Sequence, residues 1–102
     1  MPVKSMRVER ALKKLGSDIR DARRRRRIPT ELMAERMGVS RTTLLQIERG
    51  SSRVSAGSYA VAIYILGKID DLEMLLDRTN DPLGLDLIER ELPERIRSKK
   101  PR

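Results

Sequence analysis

The stretch TELMAERMGVSRTTLLQIERG, residues 30–50, constrains the fold more than any other part of the chain. It predicts two short helices joined by a tight turn. The first covers about residues 30–37 and sets Met33, Ala34 and Met37 on one face at helical spacing. Gly38 stops it, because glycine takes the left-handed backbone that a helix end often needs. Val39 is an apolar plug in the turn. Ser40 is a good N-cap, since its hydroxyl accepts from a free backbone N–H. The second helix runs to about Arg49, with Leu44 and Ile47 inward and Gly50 at its end. Ala34 fits a steep helix crossing, which needs a small side chain at the contact.

Outward on the second helix the pattern leaves Arg41, Thr42, Thr43, Gln46 and Arg49. The first four are types that contact base edges. Arginine suits guanine, glutamine suits adenine, and threonine offers a hydroxyl and a methyl. They lie at the amino-terminal end of the helix, the end that enters a major groove in proteins that read DNA with a helix.

The segment MAERMGVSRTTLLQIERG resembles the helix-turn-helix of the Xre family of phage-repressor-like regulators. The likeness rests on Ala34 in the first helix, the Gly-Val-Ser turn and the Ile-Glu-Arg-Gly ending. With the flanking helices it covers about two-thirds of the chain. It implies an all-α fold: a five-helix phage-repressor-like helix-turn-helix domain with a short C-terminal tail. It also implies a structural ion pair between Arg23 and Glu48, a phosphate contact at Thr30, and Arg41, Thr42, Thr43 and Gln46 as readers of bases. Ser40, Arg49 and Arg53 join Thr30 as DNA-backbone contacts. Thr30 also suits a plain helix cap, and the two roles are compatible.

Charge is segregated in the same direction. Residues 1–54 hold 15 Lys/Arg against 6 Asp/Glu, and residues 55–94 hold 3 against 9. Residues 95–102 carry 5 Lys/Arg and no acid. The basic part is the part with the candidate reading helix, so a polyanion is its natural partner. A merely solubilising surface explains the net charge of +8 but not its segregation.

Along the chain, residues 1–4 read as a frayed start. A helix over about residues 8–27 buries Leu12, Leu15, Ile19 and Ala22. Gly16 and Ser17 interrupt the pattern. They either sit inside one helix or separate a leader, residues 1–14, from a domain of residues 15–77. Arg23 to Arg27 is a run of five arginines, and a turn of about 100° per residue points them all round the helix. At least one must therefore run along the core boundary with its head paired. Each outward one reads equally well as a phosphate contact or a solvated charge.

YAVAIYIL, residues 59–66, is apolar on every side of a helix and far too short to span a bilayer. Tyr59, Ala62, Ile63 and Leu66 are the core choices. Val61, Tyr64 and Ile65 are left for an interface, and a two-fold homodimer serves one patch on both subunits. A last helix is expected over residues 70–77, with Leu72, Leu75 and Leu76 apolar. From residue 78 a tail is expected, partly disordered or partner-binding. TNDPLG reads as a turn, LDLIEREL as one or two helical turns, and RIRSKKPR as a mobile basic end. Its apolar residues Leu83, Leu85, Leu87, Ile88, Leu92 and Ile96 either pack on the domain or serve another protein.

A DPLGL-type segment and a basic end after such a domain resemble HipB-like antitoxins, which accompany HipA-like kinase toxins. That resemblance implies a repressor that binds a near-palindromic operator as a homodimer and neutralises the toxin. The alternative is a stand-alone Xre-type regulator. RNA recognition fits poorly, because single-strand readers use aromatic platforms and this chain has two Tyr, no Phe and no Trp. An enzyme fits worse, since nothing sets apart a general base. The chain has no Cys and no His, so no disulfide framework, metal site or cofactor is expected. No signal-type segment opens the sequence, and the expected location is cytoplasmic, associated with the nucleoid.

Overall fold

The computed structural model describes residues 5–90, and these contain helices and turns with no strand. The helices are α1 (Met6–Arg25), α2 (Thr30–Met37), α3 (Arg41–Glu48), α4 (Ala56–Ile65), α5 (Ile69–Glu73) and α6 (Pro82–Arg90). A short 3-10 turn, Arg78–Asn80, precedes α6. Among the described residues no helix is long and apolar enough to cross a membrane.

The chain divides after Ile69 into two compact units. The first holds α1 to α4. Its core is Ile19 from α1, Met33, Ala34 and Met37 from α2, Leu44 and Ile47 from α3, and Tyr59, Ala62 and Leu66 from α4. Met33, Leu44 and Ile47 are fully buried. α3 lies against both α1 and α2, and α2 also meets α4. Helical periodicity accounts for this core, because α2, α3 and α4 each contribute residues three or four apart.

All four helices of this unit end the same way. The N–H of the second residue past the last turn bonds back five residues, and the N–H before it bonds back three: Ile28 to Arg23 and Arg27 to Arg24, Val39 to Ala34 and Gly38 to Glu35, Ser51 to Gln46 and Gly50 to Ile47, Lys68 to Ile63 and Gly67 to Tyr64. The pattern needs one residue with a left-handed backbone. Gly38, Gly50 and Gly67 supply it at φ 71°, 75° and 81°. Arg27 does the same job at φ 55° despite its side chain. Substituting Arg27→Gly is therefore expected to raise stability by about 1 kcal/mol, seen as a higher urea midpoint. A lower midpoint would contradict the left-handed assignment.

Several expectations are corrected. α1 is one continuous helix from Met6 to Arg25, so Gly16 and Ser17 do not break it and the stretch before them extends the helix. Gly16 is buried because α1 runs against the end of α3: a Cβ there would stand 2.5 Å from the Gly50 nitrogen and from the Ile47 carbonyl oxygen. The expected helix over residues 70–77 is only α5, five residues long. Leu72, Met74, Leu75 and Leu76 are exposed.

Within the second unit, DPLG begins a helix instead of making a turn. The Gly84 N–H donates to Asp81 Oδ1 at 3.2 Å and the Leu85 N–H to the Asp81 carbonyl at 3.0 Å. Aspartate before proline is start chemistry for a helix as well as turn chemistry, and here the cap prevails. Asp77 caps the preceding 3-10 turn, accepting from the Thr79 N–H and hydroxyl at 3.0 and 2.6 Å. Those bonds hold its carboxyl below the usual pKa. The expectations for residues 1–4 and for residues 91–102, including Leu92, Ile96 and the basic end, lie outside the described residues.

Candidate nucleic-acid interface

Ser40 Oγ accepts the Thr43 N–H at 3.1 Å, which fixes the first turn of α3. Leu44 and Ile47 plug α3 into the core, so the opposite side of the helix is presented outward. That side carries Arg41, Thr42, Leu45, Gln46 and Arg49, all exposed. Arg41 approaches Glu31 at 3.8 Å, with both side chains solvated. Such a pair is worth little and leaves the guanidinium free to move.

Thr43, expected among the base readers, is not on this side. It stands beside Leu44 and four residues before Ile47, is half-buried, and its Oγ1 accepts from the Ser40 hydroxyl at 3.1 Å. It belongs to the cap of α3. Ser40, expected on the DNA backbone, is exposed but already committed to the same cap. Leu45 takes the outward place that the sequence reading left out, with 44% of its surface exposed. In a Leu-Leu pair only helical phase separates the inward residue from the outward one. Leu44 shares the face of Ile47, which leaves Leu45 on the exposed face.

α3 is held in place by Arg23 and Glu48. Arg23 Nε donates to Glu48 Oε2 at 2.6 Å and Nη2 to Oε1 at 3.2 Å, while Nη1 donates to the Ile28 carbonyl at 2.9 Å. One guanidinium thus ties together the end of α1, the turn before α2 and the end of α3. Both side chains are almost fully buried. The other arginines of the run are exposed: Arg25 pairs with Asp21 and Arg26 donates to the Ala22 carbonyl.

Next to that pair lies a pocket of about 300 Å³ lined also by Arg20, Arg24, Thr30, Leu45 and Arg49. Thr30 is the first residue of α2, and no side chain caps that helix, whose N-cap is Pro29. An uncapped helix start presents unpaired N–H groups and a partial positive charge. Arg20, Arg24 and Arg49 make no ion pair among the described residues. The pocket therefore collects three unneutralised guanidiniums around a helix start, the chemistry that holds a phosphate group.

Arg53 is exposed in the loop after Gly50. The loop is pinned by the Tyr59 hydroxyl, which donates to the Ser51 carbonyl at 2.6 Å. Burial pushes the Tyr59 phenol above its ordinary pKa, so it keeps the proton it donates. An acid whose folded pKa is raised supports the fold at neutral pH and weakens it only in strongly alkaline solution.

On α4 the two isoleucines exchange roles. Ile65, expected at an interface, is half-buried and packs against the core, while Ile63, expected in the core, is half-buried outside that cluster. The two flank the buried arc of Tyr59, Ala62 and Leu66 on opposite sides, and the domain covers the Ile65 side. Val61 and Tyr64 are exposed, at 40% and 65%.

No family model, curated protein or solved structure matches this chain.

Proposed function

We propose that the first unit is a helix-turn-helix DNA-binding domain of phage-repressor-like type, and that the protein is a sequence-specific transcriptional repressor. The observation that carries this reading is the exposed face of α3, held by a buried ion pair beside a cationic pocket. Arg41, Thr42 and Gln46 read base edges, and Leu45 packs on a thymine methyl. Thr30 and Arg49, with Arg20 and Arg24 beside them, hold a phosphate in the pocket, and Arg53 holds a second. Val61 and Tyr64 support a two-fold homodimer, which sets two copies of α3 in successive major grooves about 34–36 Å apart. The operator is then a near-palindrome.

The antitoxin form of this reading adds a HipA-like kinase toxin as partner. It rests on the resemblance of the domain with its RTTLLQIERG helix, the DPLGL segment and the basic end to HipB-like antitoxins, and the DNA reading stands without it.

Arg41→Ala tests the assignment of base contacts. The variant is expected to lose preference at one base pair per half-site, at a cost of about 1–3 kcal/mol, measured by competition between the selected site and its single substitutions. Equal weakening on every sequence would make Arg41 a phosphate contact. Leu45 has its own probe. Replacing thymine by uracil deletes only the methyl, so one such replacement should weaken the wild type and leave Leu45→Ala unaffected. If no replacement distinguishes the two proteins, Leu45 does not read that group.

A further inference from the structure

The amino-terminal part of α1 has no explanation in packing. Residues 6–11 are all exposed, including Met6 at 75% and Val8 at 55%. Yet the helix is well started, since Ser5 Oγ accepts from the Arg7 and Val8 N–H groups. The residue pattern of α1 resolves into three stripes, each with steps of three or four. Leu12, Gly16, Ile19 and Arg23 form the stripe turned into the unit. Arg7, Ala11, Lys14, Asp18, Asp21 and Arg25 form one flank, where acids neutralise cations: Lys14 pairs with Asp18 at 2.6 Å and Arg25 pairs with Asp21.

The other flank is Arg10, Lys13, Ser17, Arg20 and Arg24. From Arg10 to Arg24 it contains no acid, and none of its four cations makes an ion pair among the described residues. Glu9 precedes Lys13 by one turn and forms no such pair either. Arg20 and Arg24 already line the pocket at the start of α2. The stripe therefore starts at that pocket and continues along α1, covering about 21 Å at 1.5 Å per residue.

We propose that this flank of α1 is a track for the sugar-phosphate backbone of duplex DNA, in which Arg10 and Lys13 hold phosphates outside the segment that α3 reads. The proposal deepens the DNA-binding reading, but it concerns contacts that carry no base information. On the other flank the acids largely neutralise the cations, so the two flanks predict different responses to loss of charge.

The test uses a fluorescently labelled duplex of about 30 base pairs and arbitrary sequence, titrated by anisotropy between about 50 and 200 mM salt. Arg10→Gln with Lys13→Gln is compared with Arg7→Gln with Lys14→Gln, which removes the same charge from the other flank. Circular dichroism checks that both pairs keep the helix. The track variant is expected to flatten the slope of log affinity against log salt by about two, one for each lost phosphate contact. The other pair is expected to leave the slope unchanged. Equal flattening by both pairs, or none by either, overturns the track. Binding by the wild type without any sequence preference would instead overturn base reading and leave the track standing.

Discussion

Replacing Gly16 with alanine is expected to destabilise the first unit by about 3 kcal/mol, as an overpacked contact does when its neighbours cannot yield. The sign is the informative part. In an ordinary helix interior the same change stabilises by about 1 kcal/mol, because alanine is the better helix former. Here the added methyl would lie 2.5 Å from the Gly50 nitrogen and the Ile47 carbonyl oxygen, and 2.8 Å from the Glu48 carbonyl oxygen. These are backbone atoms at the end of α3, tied by the Gly50–Ile47 and Ser51–Gln46 hydrogen bonds, so they have little room to move. The contact is reciprocal. A Cβ on Gly50 would meet the Leu12 carbonyl and stand 2.5 Å from Lys13 Cα, and Gly50 also has a left-handed backbone. Urea unfolding of Gly16→Ala beside Ser17→Ala checks the prediction. The exposed Ser17 should show a small gain and Gly16 a large loss. A gain at both positions would mean that α1 does not touch α3 there.

The second large effect concerns the buried ion pair. Glu48→Ala is expected to cost about 3–5 kcal/mol, since it leaves the Arg23 guanidinium buried without its counter-charge. Folded domains of this size hold only about 5–15 kcal/mol in total, so the variant should unfold well below the wild-type temperature. The pair itself is not the source of stability. Replacing both partners at once, Arg23→Met with Glu48→Met, should recover most of the loss, because neither charge then has to be buried. Thermal unfolding of the single and double variants checks this, and a double variant no better than Glu48→Ala would contradict it. DNA affinity supplies a separate readout. Arg23 also donates to the Ile28 carbonyl, so the double variant loses the tie between α1, α2 and α3. It should bind more weakly than the wild type even where it is fully folded.

The sequence is most informative where local chemistry and tertiary packing ask for the same residue. Gly38, Ser40, Leu44 and Ile47 are such cases, and α2 and α3 fall where the sequence predicts them. The pairing of Arg23 with Glu48 follows from family resemblance and not from spacing, since twenty-five residues separate the two. Misreadings arise where one residue type serves two purposes. Gly16 looks like a helix breaker, but its lack of a side chain is used for contact between two backbones. Pro82 and Gly84 look like a turn, but with Asp81 ahead of them they begin α6. Leu45 goes unassigned in the local pattern because Leu44 and Ile47 fill the inward places, and Ile63 and Ile65 differ only in which flank of α4 the domain covers. These choices depend on neighbours distant in sequence, and local pattern holds no record of them.

The proposed function depends most on α3 as a reader of base edges. Selection of binding sites from a random duplex library by the purified protein tests that claim most directly. The expected result is enrichment of a near-palindrome whose half-sites lie about 10–10.5 base pairs apart, centre to centre. The Arg41→Ala and Gln46→Ala variants should each lose preference at a different position within it. Recovery of DNA without any enriched sequence, together with steep salt dependence, would contradict the account and leave only a protein that binds phosphate backbones.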